Sequence, residues 1–206
     1  MIQLTSRERR RLTDVESELL AGFGPLLSET LVRALIDAAT AQLLERGRGA
    51  DLAEEIRLFA TLRLTGAAIL AGSLEPAVPT VLIVSPEDAF RSQLTAGWLR
   101  GRLHDRAAVR TAGLTPTTTM HPMAAIALRN AGISTADLFP KPLTDECRLT
   151  ADILVSIACS LPGRPRADAV HLHWDEVGAD HPASAQVPDR LRRRVSEVIH
   201  RLANDR

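Results

Sequence analysis

The chain changes its hydrophobic period once, and the change falls at residues 72–79. Before that segment apolar residues recur only at helical spacing. Leu12, Val15, Leu19 and Leu20 form one stripe, and Gly22, Gly24 and Pro25 break it. Ser28 opens a second helical stretch through Leu31, Leu35 and Ile36, closed by Gly47 and Gly49. Asp51 is placed as the N-cap of a third, through Leu52, Ile56, Phe59 and Leu62 to about Leu70. After the Pro- and Gly-containing linker, short continuous apolar runs alternate with helical stretches. Residues 81–84, 108–113, 153–157 and 169–172 read as strands; 93–103, 122–131 and 187–202 read as helices. Continuous apolar strands separated by helices specify a parallel sheet covered on both faces. The expected architecture is therefore α/β: a doubly wound parallel sheet over residues 78–206, preceded by a small all-α domain of three helices over residues 1–75. The stripes Leu12/Val15/Leu19 and Leu31/Leu35 are expected to be buried, against the α/β domain or in a homodimer.

Charge narrows the function classes. Lys plus Arg and Asp plus Glu both number 25 in 206 residues, and the basic residues are interleaved with acids, so no nucleic-acid face is expected. The basic run at Arg7, Arg9, Arg10 and Arg11 reads as a solvated helix start, as does 192–194 with Glu197 nearby. No apolar run reaches 18 residues, so no membrane span is expected. The first ten residues lack the apolar core of a secretory signal. With only Cys147 and Cys159, and no Cys-x-x-Cys spacing, the expectation is a reduced, cytoplasmic protein of bacterial composition without structural zinc or cofactor.

Chemistry concentrates where the strand 81–84 runs through Ser85, Pro86, Glu87, Asp88, Ala89 and Phe90 into Arg91, Ser92 and a helix. Strand, tight loop and helix N-terminus form an anion cradle, with backbone N–H groups aimed at a bound oxyanion. In such sheets the ligand site lies beyond the carboxyl ends of the strands. A second candidate is His171 and His173, which point to one side of a strand. With Asp175 or His181 they could bind a metal, and the plainer alternative is a surface strand edge beside Trp174.

Several segments resemble the low-molecular-weight tyrosine phosphatases and the arsenate reductases built on the same fold. The loop there is Cys, five residues, Arg, Ser; here Ser85 stands at the Cys position, and Arg91 and Ser92 are kept. Thr111-Ala112-Gly113 resembles the family's Ser-Ala-Gly turn. Lys141-Pro142-Leu143-Thr144-Asp145-Glu146 resembles a stretch of the arsenate-reductase branch, and Trp174-Asp175 the approach to its acidic loop. The helical residues 1–75 resemble an extension found before some actinobacterial members. The resemblance implies a thiolate nucleophile at position 85, bidentate oxyanion binding by Arg91, an acid at Asp175 or Asp180, and a resolving thiol at about Cys159. Where some members carry a further Cys, this chain has Arg166.

The departures argue against that chemistry. A serine hydroxyl is not ionised by a helix N-terminus and one arginine; it needs an adjacent base. Pro86 removes a backbone donor. Glu87 and Asp88 stand where a neutral or basic residue and an Asn are usual, and a carboxylate about 4 Å from an oxyanion charge repels it by roughly 4 kcal/mol. Phe90 replaces Gly at a position expected to need positive φ. The expectation is a pseudoenzyme that acts by binding, with a protein partner or homodimer and weak or no oxyanion affinity. Restoring Cys at 85 alone is not expected to restore turnover. One carboxylate among Glu87, Asp88, Asp175 and Asp180 is expected to pair with Arg91 and plug the cradle. The alternatives are an enzyme that reuses the loop carboxylates or the His-x-His pair, or residual phosphatase or arsenate reductase activity. Cys147 and Cys159 read as inert core thiols.

Overall fold

In the computed structural model, residues 5–175 and 186–204 are described. The chain divides into two compact units, Met1–Pro76 and Ala77–Arg206.

The first unit is a helical hairpin plus a third helix: α1 (Ser6–Phe23), α2 (Glu29–Arg46) and α3 (Leu52–Leu70), which pack pairwise on one another. Each start has a local cause. Thr5 and Glu8 form a reciprocal capping box on α1. The Ser28 hydroxyl accepts from Leu31 N–H, and the Asp51 carboxylate accepts from Glu54 N–H. Gly47, with φ 111°, ends α2. The buried stripe of α2 is Val32, Leu35, Ile36, Ala39 and Leu43, while Leu31 is 41% exposed. The expectation for Leu31 is therefore corrected. Leu31 and Val32 are adjacent, so they project about 100° apart on the helix, and the face through Val32, Ile36, Ala39 and Leu43 meets the other helices. The basic run at the start of α1 is exposed, and Arg11 within it reaches Asp51 at 2.9 Å.

The second unit holds a four-stranded sheet of β1 (Thr80–Ser85), β2 (Ala108–Gly113), β3 (Ile153–Ile157) and β4 (Val170–Trp174), in the order β2-β1-β3-β4 with every pairing parallel. Successive connections run in opposite directions from β1, so the switch in strand order lies at the carboxyl ends of β1 and β3. Helices α4 (Arg91–Leu103), α5 (Pro122–Asn130) and α7 (Gln186–Asn204) share a core with Val81, Ile83, Val109, Ile153, Val155 and Ile157 on one sheet face. Leu82, Val84, Leu154 and Ser156, on the other face, are also fully buried. Burial of both faces explains why these strands read as unbroken apolar runs. A short helix, α6 (Asp145–Leu149), precedes β3 and carries the buried Cys147. At Gly97 a Cβ would lie 2.4 Å from Leu128, so the bare backbone of α4 is what lets α5 approach. Among the described residues no helix is long and apolar enough to cross a membrane.

Candidate functional site

The loop between β1 and α4 leaves the sheet at the switch point. Four of its carbonyls are tied to one side. Leu114 N–H donates to Ser85 O, Thr115 N–H to Pro86 O at 2.9 Å, Thr117 N–H to Glu87 O at 3.1 Å, and His121 N–H to Ala89 O at 2.9 Å. In a trans peptide the N–H points opposite the carbonyl, so this ladder turns the loop amides away from residues 114–121. That is the arrangement an anion nest requires. Gly113 makes the close approach possible, since a Cβ there would lie 3.0 Å from Asp88 Cβ and 3.2 Å from Asp88 N.

The left-handed residue of the loop is Asp88, with φ 49°, whereas Phe90 has φ −122°. The strain expected at Phe90 is therefore absent. Aspartate tolerates this region better than most residues because its short side chain bonds locally. Phe90 instead packs its ring edge-on to His121, with centroids 5.2 Å apart.

Asp88 is fully buried and faces into the protein. Its Oδ1 accepts from the Ser92 hydroxyl at 2.7 Å. Its Oδ2 accepts from the Thr111 hydroxyl at 3.1 Å and from Lys141 N–H at 3.0 Å. The Lys141 ammonium lies 3.8 Å from Oδ2 and donates to Thr111 Oγ1 and to the Phe139 carbonyl. Gln93 Nε2 donates to the Asp88 carbonyl at 2.9 Å. Burial pushes the Asp88 carboxyl up to about 6, opposed by the Lys141 charge and the hydrogen bonds from Ser92, Lys141 and Thr111. A buried cation facing Asp88 is thus Lys141. The carboxylate braces the loop from within the protein, and its charge is compensated there only in part. Glu87 is exposed, Pro86 half-buried and Ala89 buried.

The remaining candidates fall around this brace. Ser85 is 3% exposed. Its hydroxyl donates to Ser92 Oγ at 3.0 Å and accepts from Asp88 N–H at 3.2 Å. Arg91 is the first residue of α4 and is half-buried. After β3 the chain passes through Ala158 at φ 52°, which brings the Cys159 thiol to 3.7 Å from the Val84 carbonyl, one peptide from Ser85. Burial pushes that thiol up, away from thiolate character. Asp180 and His181 lie outside the described residues. Asp175 follows β4 and bonds His173 Nε2 at 2.8 Å, while His171 Nε2 and His173 Nδ1 lie 2.9 and 2.6 Å from Ser156 Oγ. Desolvation, then the neighbouring His173, holds His171 below the usual imidazole range. Thr111, Gly113 and Lys141 belong to the loop's brace, and only their resemblance to family segments pointed to them. Gln93 and Ser156 carry no sequence signal that separates them from ordinary helix and strand residues.

The fold as a whole is that of arsenate reductases of known structure. A thioredoxin-dependent arsenate reductase of Corynebacterium glutamicum superposes with a TM-score of 0.87 over 96% of this chain and 98% of its own, at 24% identity. An arsenate reductase in a phosphate-binding state covers 61% of this chain and 99% of its own, with a TM-score of 0.51 and 21% identity. Another, in an oxidized state, covers 61% of this chain and 99% of its own, with a TM-score of 0.50 and 19% identity. No protein-family model matches the sequence, and no curated protein matches it.

Proposed function

We propose that this chain is a catalytically degenerate protein of the arsenate-reductase and low-molecular-weight phosphatase fold, and that it acts by binding through the loop face. The observation that carries this reading is Ser85, which occupies the nucleophile position with its hydroxyl engaged on both sides, by Ser92 and by Asp88 N–H. A buried neutral hydroxyl in that setting lacks the nucleophilicity of a thiolate. Cys159, the other thiol near the loop, is biased toward its protonated form. The cradle itself is kept in shape by the carbonyl ladder and the Asp88 brace. Oxyanion affinity is reduced relative to an intact loop, because Pro86 offers no N–H and Glu87 adds an exposed carboxylate. A protein partner or a second copy of the chain is then the occupant of the loop face.

One observation favours a second reading. The Ser85 hydroxyl donates to Ser92, which donates to Asp88, so a chain of hydroxyls ends on a carboxylate raised to about 6. That chain would let Asp88 draw a proton from Ser85 and sustain slow serine-based phosphoryl transfer. Turnover of p-nitrophenyl phosphate and of arsenate with a dithiol separates the two. The binding reading expects none above background. It also expects Ser85→Cys to create a thiol that phosphate protects from iodoacetamide, with little turnover because Asp175 is engaged by His173. Wild-type turnover that disappears in both Ser85→Ala and Ser92→Ala would overturn it.

A further inference from the structure

On the sheet face opposite α4, at the carboxyl ends of β3 and β4, two imidazoles converge on one oxygen. His171 Nε2 is 2.9 Å and His173 Nδ1 is 2.6 Å from Ser156 Oγ. The convergence follows from the strand. Residues 171 and 173 alternate to the same face of β4, and the register sets Ser156 opposite His173 and Leu154 opposite His171 on β3. Ser156 is fully buried beneath the pair, while both histidines are exposed.

A hydroxyl carries one proton, so it can satisfy only one of two imidazole lone pairs. Asp175 decides which. Its Oδ1 lies 2.8 Å from His173 Nε2, so Nε2 carries the proton and Nδ1 presents its lone pair to Ser156. A carboxylate holding the far nitrogen of a histidine is the outer-shell arrangement that orients metal-ligating imidazoles. Among the described residues His171 has no such restraint, and its tautomer is free to present either an N–H or a lone pair at Nε2.

We propose that His171 and His173 form a two-imidazole site for a late first-row divalent cation such as Zn²⁺, with Ser156 Oγ beneath it and Asp175 orienting His173. Imidazole pairs favour zinc, nickel and copper over magnesium and calcium. Exposure of both rings lets them close to metal-bond distances of about 2.1 Å by side-chain rotation. Among the described residues no three His, Cys, Asp or Glu groups gather as a metal cluster. Water therefore fills the remaining positions, which leaves the cation open to an exogenous ligand and limits its affinity to an exchangeable range. The site shares Asp175 with the acid candidates for the Ser85 loop, and Ser156 pairs with Val84 beside that loop, but the proposal does not rest on the binding reading given above.

Titration of the full chain with Zn²⁺ against a chromophoric chelator tests this. The expected result is one Zn²⁺ per chain, weakened at least tenfold in His171→Ala and in His173→Ala and about tenfold in Asp175→Asn. His200→Ala, on the exposed side of α7, should leave affinity unchanged, and Mg²⁺ should not compete. Thermal melts of each apo variant establish that it is folded. Absence of Zn²⁺ binding to the wild type, or binding that survives His171→Ala/His173→Ala, overturns the assignment.

Discussion

Removing the Asp88 side chain should unseat the loop and leave a buried cation without its counter-charge. In Asp88→Ala, Ser92 Oγ, Thr111 Oγ1 and Lys141 N lose an acceptor, and the Lys141 ammonium, 2% exposed, loses the carboxylate 3.8 Å away. Breaking one side of a buried ion pair costs about 3–5 kcal/mol, and alanine at φ 49° adds about 1 kcal/mol. The variant should lose about 4–6 kcal/mol in the α/β unit. Lys141→Met leaves the opposite defect, but its carboxyl can escape by taking a proton, so its cost should be smaller at pH 5 than at pH 7. Once both charges are gone neither defect remains, and the double variant should cost about 2 kcal/mol less than the two singles combined. The folded Asp88 carboxyl, at about 6, lies above its unfolded value of about 3.9. The folded form then binds the proton more tightly. Its contribution is full below about pH 4 and is lost as pH rises through about 6, a swing of up to about 3 kcal/mol. Relative to Asp88→Asn, the wild type should therefore gain stability from pH 7 to pH 5. Urea unfolding followed by tryptophan fluorescence reads the correct unit, because Trp98 and Trp174 both lie in its core. An Asp88→Ala cost under about 1 kcal/mol, or strict additivity in the double variant, would refute the idea that this network holds the loop.

Two further substitutions probe other supports. Gly113→Ala places a Cβ 3.0–3.2 Å from Asp88 and Glu87 backbone and Cβ atoms, so it should push the loop off the sheet edge. About 1–3 kcal/mol of stability should go, and the phosphate protection of the Ser85→Cys thiol should go with it in the double variant. In the helical unit Glu55 pairs with Arg46, whose side chain is 1% exposed. Glu55→Ala should cost about 3 kcal/mol there, seen as an earlier loss of helical circular dichroism without a matching shift in tryptophan fluorescence.

What the sequence determined by itself was whatever depends on neighbours along the chain. The N-caps at Ser28 and Asp51, the glycine stop at Gly47, the strand core at 81–84 and the strand-loop-helix cradle all rest on residues within one or two turns of each other. The parallel sheet was legible too, because burial on both faces writes itself as continuous apolar runs. What only the tertiary structure decided was direction and partnership. Asp88 was visible as a loop acid, and local reasoning aimed it at the oxyanion and at Arg91. Its actual partners, Thr111 and Lys141, arrive from 23 and 53 residues away and turn the charge inward. The strained position was misplaced by two residues, at Phe90 instead of Asp88, since φ in the loop is set by the carbonyl ladder to residues 114–121. Leu31 and Val32 compete for the same face by composition, and packing of three helices settled it in favour of Val32. Ser156 became notable only when strand register set it under two histidines. A sequence records which groups are present, but the sign of an electrostatic effect depends on which of them share a low-dielectric interior.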